Sequence, residues 1–368
     1  MAETGTTLRE RAVDLTADLV EYQTVASNPD EVDACMDRVA EFFAEAGIQV
    51  TRHRHDGVPS LVASLADTEG ADVMFHGHLD VVPAPDRLFS PRIEGGRMYG
   101  RGTADMKGGL AAMMHVMRDA AAEKADHSLS MMVVADEERG GRHGVQYLID
   151  DVGYSPAFCI TGEPNNLDGY MDLVIKQKGV VQVEVTATGA TAHAATPDNG
   201  ENAIENLLAA YPDIRETFED EEDWGATVNF GRIRGGEALN QVPESATLEL
   251  DIRYPDETRR DDVLFRLRQI PGIEIHSLGH GNPVDTDPEE PHVQALKRHA
   301  ERAMDREVNL ARKPHTSDLR HFARQDIPGV AFGPEGYGSH EEFEHLVLGS
   351  LEDYQRALYE FATNGPYA

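Results

Sequence analysis

The sequence predicts an α/β protein: a main domain with a mixed, largely parallel sheet flanked by helices, and a smaller α+β domain inserted into it. Three observations lead to this prediction. Short apolar runs alternate with amphipathic helical segments through the first part of the chain. Residues 178–286 instead follow the order strand, helix, strand, strand, helix, strand, which is the ferredoxin-like arrangement. A helix and a strand of the first kind then return.

The individual elements follow from local patterns. Apolar residues at helical spacing mark the helices; the second is capped by Asn28, Pro29 and Asp30 and is stopped by Gly47. The predicted helices are 7–22, 30–46, 107–124, 141–150, 202–217, 258–269, 290–305 and 349–363. Short apolar runs predict strands at 48–54, 60–65, 72–76, 129–135, 157–161, 180–188, 227–233, 246–253, 272–277 and 328–333. The main domain therefore comprises 1–177 and 287–368, and the inserted domain 178–286.

The bulk composition is that of a globular protein with two domains. The chain has 368 residues, 40% of them hydrophobic, and it contains no run of about 18 apolar residues that would span a membrane. The first residues, MAETGTTLRERAV, lack the apolar core of a secretory signal, so we expect a cytoplasmic protein. Cys35 and Cys159 are expected to be buried free thiols.

The charge of the chain is strongly negative. Asp and Glu number 66 against 33 Lys and Arg, and only six of those 33 are Lys. Such a surface repels nucleic acid. It also destabilises the compact state through self-repulsion unless salt screens the charges. We therefore hypothesise a halophilic protein from a salt-rich cytoplasm; the alternative is an ordinary acidic protein.

Polar residues cluster where four predicted strands end. In open α/β sheets, ligands bind at the carboxyl edge of the strands. Each of these four strands is followed by histidine or carboxylate side chains, so we expect a shared site at that edge. The residues that follow the four strands are His76, His78 and Asp80; Asp136, Glu137 and Glu138; Glu163; and, further along, His340.

These donors predict a catalytic metal site. Histidine and carboxylate ligands without cysteine suit zinc or a similar divalent ion, whereas a structural zinc more often uses cysteine. Five ligands that include one shared carboxylate would hold two ions roughly 3.5–4 Å apart. Asp105 is a candidate for the shared ligand because it lies in a glycine-rich loop just before a helix.

The chain resembles the co-catalytic zinc family of acetylornithine deacetylase, succinyl-diaminopimelate desuccinylase, aminoacylase and glutamate carboxypeptidase. The resemblance spans nearly the whole chain, with the motifs in matching order and spacing. It rests on six segments: GHLDVVP, YGRGTADMKGG, DEERGG, TGEP, TATGATAHAATPDNGENAI and GSHEEFE. It implies a zinc-peptidase catalytic domain and an inserted lid and dimerisation domain, and hence a homodimer.

The resemblance also implies the metal ligands. His78 and Glu163 would bind one ion, Glu138 and His340 the other, and Asp105 both. The cofactor would be two divalent ions, with zinc the first candidate and cobalt or manganese the alternatives.

Two further residues would support the chemistry at the metals. The resemblance implies that Asp80 holds the His78 imidazole from outside the ligand set. Glu137 would be the general base: it would take a proton from metal-bound water, and the resulting hydroxide would attack the amide carbonyl. Glu137 would then return the proton to the leaving amine. The resemblance also implies a cis peptide after Asp105.

Three residues of the inserted domain match substrate-binding positions of the family. His193 would stabilise the oxyanion of the tetrahedral intermediate, in dimeric members from the partner subunit. Asn240 and Arg253 would bind a free carboxylate of a small-molecule substrate, which suits the forked donors of arginine. The alternative for Arg253 is a structural ion pair with Asp251 or Asp256.

Other histidines compete with the proposed ligands. His76 lies two residues before His78, and His315, His321 and His345 lie near His340. The string from His340 to His345 is not the zincin motif, which needs histidines four residues apart, so His345 is interpreted as a surface or packing residue.

The leading functional hypothesis is hydrolysis of N-acyl amino acids, by deacetylation or desuccinylation, or of C-terminal peptide bonds. Glu163 favours it, because in the resembled family Glu at this position goes with acyl-amino-acid hydrolases and Asp more with aminopeptidases. The segment His315–Arg320 resembles the Thr-Ser-Asp-x-Arg run of the desuccinylase. The alternatives are a metallo-dipeptidase or aminopeptidase and, third, a metal-binding protein without catalysis.

Overall fold

The computed structural model describes residues 7–65, 71–123, 128–164, 171–219 and 223–364. The helices in these ranges are α1 (Leu8–Glu21), α2 (Pro29–Glu45), α3 (Gly108–Glu123), α4 (Val145–Tyr147), α5 (Ala203–Glu216), α6 (Glu257–Arg268), α7 (Pro291–Met304), α8 (Leu319–Ala323) and α9 (Leu348–Asn364). None of them is long and apolar enough to cross a membrane.

The strands in the same ranges are β1 (Gln49–His55), β2 (Val58–Ser64), β3 (Val73–His78), β4 (Arg92–Glu94), β5 (Arg97–Tyr99), β6 (Leu129–Val134), β7 (Phe158–Thr161), β8 (Leu173–Gln177), β9 (Gly179–Thr188), β10 (Thr227–Gly235), β11 (Ser245–Tyr254), β12 (Ile273–Gly281), β13 (Val284–Asp285), β14 (Leu310–Lys313), β15 (Gly329–Ala331), β16 (Gly336–Tyr337) and β17 (His345–Val347). The chain divides into a main unit (1–176, 285–312 and 317–368) and an inserted unit (177–284 and 313–316).

The main unit contains a mixed sheet with the strand order β1-β2-β6-β3-β7-β15-β8-β13, and β14 pairs with β8. Its centre is parallel, since β3 runs parallel to β6 and β7, and β7 runs parallel to β15. These four strands are buried along their whole length, as expected for parallel strands covered on both faces. The predicted sheet flanked by helices is confirmed.

The helices of the main unit bury apolar faces against this sheet and against one another. α2 packs on β1 and β2. α1 and α9 pack on α3 and on each other, and α7 packs on α9. α3 is buried on nearly every side, because all residues from Gly108 to Met117 are buried. Cys35 lies in this core and is a buried free thiol, as is Cys159.

The inserted unit is a four-stranded antiparallel sheet with the order β10-β11-β9-β12. Together with α5 and α6, this order is that of a ferredoxin-like fold, as the sequence predicts. Alternate residues of β9 and β11 are buried and form a core with α5 and α6. The alternation of side chains along these strands therefore identifies the face of the sheet that the helices cover.

The sequence prediction was wrong for one helix and missed several short elements. Residues 141–150 do not form one helix; α4 is a single turn, followed by a π-helical turn over Leu148–Val152. Lys124, the last residue of the third predicted helix, lies outside the described residues. The short strands of a second sheet in the main unit, with the order β16-β17-β5-β4, were not predicted, nor were β8, β13, β14 and the short helix α8.

Candidate metal centre

Three neighbouring parallel strands bring the first group of candidate residues together. His78 is the last residue of β3, Glu137 and Glu138 follow β6, and Glu163 lies two residues after β7. Because β6, β3 and β7 are adjacent and parallel, these residues emerge at the same edge of the sheet.

Asp105 reaches this edge from the turn over Thr103–Lys107 that precedes α3. Gly102 opens the turn in a left-handed conformation (φ +83°), which favours glycine. A Cβ atom on Gly109 would lie 2.2 Å from the carbonyl oxygen of Gly162, so only glycine lets α3 begin this close to the loop that carries Glu163. The Asp105–Met106 peptide is cis, as the family resemblance implies.

Two groups of three potential ligands share Asp105. In the first, the Nε2 atom of His78 lies 3.2 Å from Oδ1 of Asp105 and 3.4 Å from Oε1 of Glu163. In the second, the Nε2 atom of His340 lies 3.0 Å from Oε2 of Glu138 and 3.6 Å from Oδ2 of Asp105. Within each group the ligand atoms lie within 4.8 Å of one another. Asp105 thus presents a different oxygen to each group.

The residues present fit a pair of divalent cations. Nε2 of His78 is buried and makes no hydrogen bond of good geometry within the described ranges, although carboxylate oxygens surround it. Three carboxylates and two imidazoles with no cysteine are a donor set for zinc, cobalt or manganese. The Asp105 carboxylate lies close to Glu163 in the first group and to Glu138 in the second, and these negative charges would repel one another unless cations balanced them.

Burial and charge act in opposite directions on His78. Burial alone would lower the pKa of His78, but the carboxylates of Asp105, Asp80 and Glu163 outweigh it and raise the pKa well above its ordinary value. The ring is oriented from the other side, where its Nδ1 atom lies 3.0 Å from the backbone carbonyl oxygen of Asp80.

The carboxylate of Asp80 makes contacts that the sequence does not reveal. Its Oδ1 atom is 3.6 Å from Nδ1 of His78, longer than a hydrogen bond. Its two oxygens instead accept the backbone N–H groups of Glu137 (3.2 Å) and Glu138 (3.1 Å). The carboxylate therefore holds the loop that carries the candidate base, while the backbone of Asp80 orients His78.

Glu137 lies beside the two ligand groups but belongs to neither. Enclosure of its carboxyl group raises the pKa of Glu137 well above its ordinary value; the nearby His78 opposes this shift, and the carboxylates of Asp318, Glu163 and Asp105 add to it. A carboxylate with a raised pKa beside a metal site is suited to accept and return a proton.

His340 reaches the site from the small second sheet rather than from the end of a long strand. It lies between β16 and β17, has a left-handed backbone (φ +69°), and its side chain is 53% exposed. Its hydrogen bond to Glu138 raises the pKa of His340.

The competing histidines of the main unit make other contacts. His76 contacts Thr161 and Asp318, and His321 contacts the Gly140 carbonyl oxygen. His345 lies in β17 against Tyr99. None of these three is in a potential ligand group of the described residues.

The inserted unit carries the three predicted substrate residues. His193 is exposed, and its Nδ1 atom accepts the backbone N–H of Ala195 at 3.0 Å. A neutral His193 therefore carries its proton on Nε2. Asn240 is exposed on a neighbouring loop, where its carbonyl oxygen accepts the backbone N–H of Ala194.

Arg253 lies in β11 and is paired within the inserted unit. Its Nε and Nη2 atoms donate to the two oxygens of Asp251, and its Nη1 atom donates to Oγ1 of Thr316 at 3.1 Å. Thr316 belongs to the segment 313–316 that joins this unit. The ion pair with Asp251 considered from the sequence is therefore present.

Sequence reasoning overlooked Glu344. This residue is 2% exposed, and its carboxylate contacts Arg101 and the backbone of Ala104 and Asp105. Its position in the acidic string His340–His345 gives no sign of burial.

The fold and the paired ligand groups define a class of dinuclear metal-dependent hydrolases. A sequence model of Peptidase family M20/M25/M40 matches residues 74–364, and the chain belongs to this family. It is accordingly a metal-dependent hydrolase that acts on amide bonds of small amino-acid substrates.

Individual proteins resemble the chain over almost its full length. The succinyl-diaminopimelate desuccinylase of Gluconobacter oxydans is 30% identical, over 97% of this chain and 98% of its own. A tripeptidase from Staphylococcus aureus has 21% identity and a TM-score of 0.80, covering 98% of this chain and 99% of its own. A dinuclear metal-binding peptidase of the M20 family from Bacillus subtilis has 16% identity and a TM-score of 0.70, covering 97% and 98%. The two solved structures show that the fold is shared.

Proposed function

We propose that the chain removes the acyl group from an N-acyl amino acid, and that the first substrates to test are N-succinyl amino acids. The arrangement that carries this proposal is the pair of ligand groups sharing Asp105, with Glu137 beside them. The succinyl class is favoured by the desuccinylases of Gluconobacter oxydans and of a Sulfurovum species, which are 30% and 28% identical over at least 95% of the chain.

We assign one cation to His78, Asp105 and Glu163, and the other to Asp105, Glu138 and His340. Zinc is the proposed metal, because imidazole and carboxylate donors suit it, with cobalt and manganese to be compared. When bound, the two cations would polarise the substrate carbonyl and lower the pKa of a water molecule.

Glu137 is the proposed general base and acid. Its carboxylate takes one proton from the attacking water and passes it to the leaving amine nitrogen, so that one amide and one water give one carboxylate and one amine. The contacts of Asp80 with the backbone of Glu137 and Glu138 fix this loop. Asp80 is therefore a positioning residue for the base.

We propose substrate contacts for the three residues of the inserted unit. His193 would donate from Nε2 to the developing oxyanion, and the support is the N–H of Ala195 bound at Nδ1. Arg253 and Asn240 would bind a free carboxylate of the substrate. A guanidinium has five N–H donors, and the contacts with Asp251 and Thr316 use three of them.

We further propose a homodimer formed through the inserted lid unit. β10 is an edge strand of the inserted sheet, and edge strands offer unpaired backbone groups to another chain. Large apolar side chains are exposed on this unit, with Leu208 of α5 57% and Ile233 of β10 60% exposed. Exposed apolar groups beside an edge strand favour association of two copies.

The halophilic character and the cytoplasmic location remain predictions. The net charge of −33 supports the first, and so does the placement of the few lysines. Lys107, Lys178 and Lys313, half of the six, are buried and leave the surface still poorer in positive charge.

The proposed activity is tested with a substrate panel in molar KCl and added Zn²⁺, Co²⁺ or Mn²⁺. The panel compares N-succinyl and N-acetyl amino acids with unblocked di- and tripeptides, using wild type, Glu137→Gln and the exposed control Glu45→Gln. We expect acyl amino acids to be hydrolysed, with kcat falling by about 10²–10⁴ in Glu137→Gln while both cations are retained. The control should match wild type.

Other outcomes have distinct meanings. Preferential cleavage of unblocked peptides would replace the deacylase assignment with a peptidase. A fully active Glu137→Gln would overturn the role of the base. No turnover of any compound by protein with two bound cations would contradict the proposed activity altogether.

A further inference from the structure

Glu344 connects the two loops that supply Asp105 and His340. It directly precedes β17 and lies four residues after His340. Its Oε1 atom accepts the backbone N–H groups of Ala104 at 3.1 Å and of Asp105 at 3.2 Å. Its Oε2 atom forms an ion pair with Nη1 of Arg101. A single carboxylate therefore binds both the backbone of the bridging residue and the start of its loop.

The small sheet fixes Glu344 at this point. β17 pairs with β5, with His345 opposite Tyr99, and the backbone N–H of Gly100 donates to the carbonyl oxygen of Glu344 at 3.2 Å. The loop of Asp105 leaves β5, and the loop of His340 enters β17. The two loops thus meet at one corner of this sheet.

These contacts are buried. Glu344 is 2% exposed, Arg101 4% and Ala104 0%. Buried backbone N–H groups need acceptors, and a carboxylate is a stronger acceptor than a neutral oxygen. Without Glu344, the amides of Ala104 and Asp105 would lose their acceptor inside the protein, and the turn that aims the Asp105 carboxylate would no longer be held.

We propose that Glu344 is a positioning residue for the second cation, acting through the peptide N–H groups of Ala104 and Asp105. It sets the Asp105 carboxylate relative to His340, whose Nε2 atom lies 3.6 Å from Oδ2 of Asp105. The inference rests on the proposed assignment of the two cations. Arg101 balances the charge of Glu344 and is not needed for the hydrogen bonds to the turn.

The competing view is that the buried ion pair merely stabilises the fold. Two double variants separate the views, because both lack the ion pair and only one of them keeps a side-chain acceptor at position 344. Glu344→Gln with Arg101→Met keeps an amide oxygen that can accept from the turn. Glu344→Ala with Arg101→Met removes the acceptor. Glu341→Gln, exposed on the same loop, is the single-charge control.

The readout is stepwise binding of Co²⁺ or Zn²⁺ to the full-length protein, followed by calorimetry and absorption, with thermal unfolding of the metal-free forms. We expect the variant with Glu344→Gln and Arg101→Met to bind both cations within about threefold of the wild-type affinity. The variant with Glu344→Ala and Arg101→Met should bind the first cation normally and the second about 10–100-fold more weakly, the usual effect of losing a group that orients a metal ligand.

The proposal would be overturned if the two double variants bound the second cation with equal affinity, whether that affinity was normal or weak in both. If the variant with Glu344→Ala and Arg101→Met does not fold, Glu344→Asp replaces it, since the shorter side chain withdraws the acceptor and keeps the charge. Normal affinity in Glu344→Asp would also overturn the proposal. If wild type itself bound fewer than two cations, the underlying metal assignment would fail instead.

Discussion

Replacing Asp80 with Asn tests the arrangement around the candidate base in detail. The Asp80 carboxylate accepts two backbone N–H groups, from Glu137 and Glu138, whereas His78 is oriented by the Asp80 backbone carbonyl. The variant keeps the backbone contact and one side-chain acceptor, and it turns an NH₂ group toward the other amide. We therefore expect the loop of Glu137 and Glu138 to be disturbed and His78 to be left in place.

The magnitude follows from the hydrogen bonds that are changed. A hydrogen bond to a charged group contributes about 1.5–3 kcal/mol, so losing one and neutralising the other should cost about 2–4 kcal/mol in total. Part of this cost falls on folding. The rest should weaken binding of the second cation, which we assign to Glu138, and lower kcat, each by about 10–100-fold.

The assay is stepwise Co²⁺ titration with kcat measured at saturating metal. Asp72→Asn is the matched control, because Asp72 also accepts a backbone N–H, from Ser128 at 3.3 Å, away from the site. Selectively weaker binding of the first cation, which we assign to His78, would refute the reasoning. It would show that the Asp80 carboxylate serves mainly to orient the imidazole.

Three further expectations concern assembly, salt and pH. Leu208→Asp combined with Ile233→Asp should convert the dimer to a monomer in sedimentation analysis, whereas Phe265→Asp, equally exposed on α6, should not; a wild-type monomer would refute the dimer proposal. Thermal stability should rise steeply from dilute buffer to molar KCl, because the screening length falls from about 10 Å at 0.1 M to about 3 Å at 1 M; an unchanged melting temperature would refute the halophilic hypothesis. Burial lowers the pKa of His115 to about 4, so the folded state takes up fewer protons than the unfolded state below pH 6.5, and stability should fall as the pH falls from 6.5 to 4. At pH 4.5, His115→Gln should abolish about 2–3 kcal/mol of this loss in the free energy of unfolding, as measured by urea unfolding. An unchanged dependence of that free energy on pH would refute this expectation.

The residues at the strand ends were predictable because the parallel strands are long and fully buried. β3, β6 and β7 appear in the sequence as apolar runs, and polar residues directly after such runs stand out. Their placement at one sheet edge follows from parallel pairing alone. The sequence alone therefore predicts that His78, Glu138 and Glu163 are neighbours.

The second sheet could not be predicted in the same way. β16 has two residues, and β4, β5 and β17 have three each, too few to show an alternating pattern. The pairing of β5 with β17 joins segments that are far apart in the chain. The environment of His340 depends on this pairing, and so does the burial of Glu344, which contacts a residue 240 positions earlier.

Backbone contacts of polar side chains were also beyond the sequence. Asp80 was expected to hold the His78 imidazole, and it does so through its backbone carbonyl oxygen, while its carboxylate accepts the N–H groups of Glu137 and Glu138. A residue pattern shows which side chains are close, but it does not show which backbone groups need an acceptor. The same limit applies to the contact between Glu344 and the turn at Asp105.

Metal stoichiometry tests the shared aspartate most directly. Wild type, Asp105→Ala and His340→Ala are each equilibrated with zinc, separated from free metal and analysed for zinc per chain. We expect two tightly bound ions in wild type, one in His340→Ala and none in Asp105→Ala, because Asp105 offers one oxygen to each ligand group. One ion retained by Asp105→Ala at wild-type affinity would contradict the account, as would a wild type that binds only one.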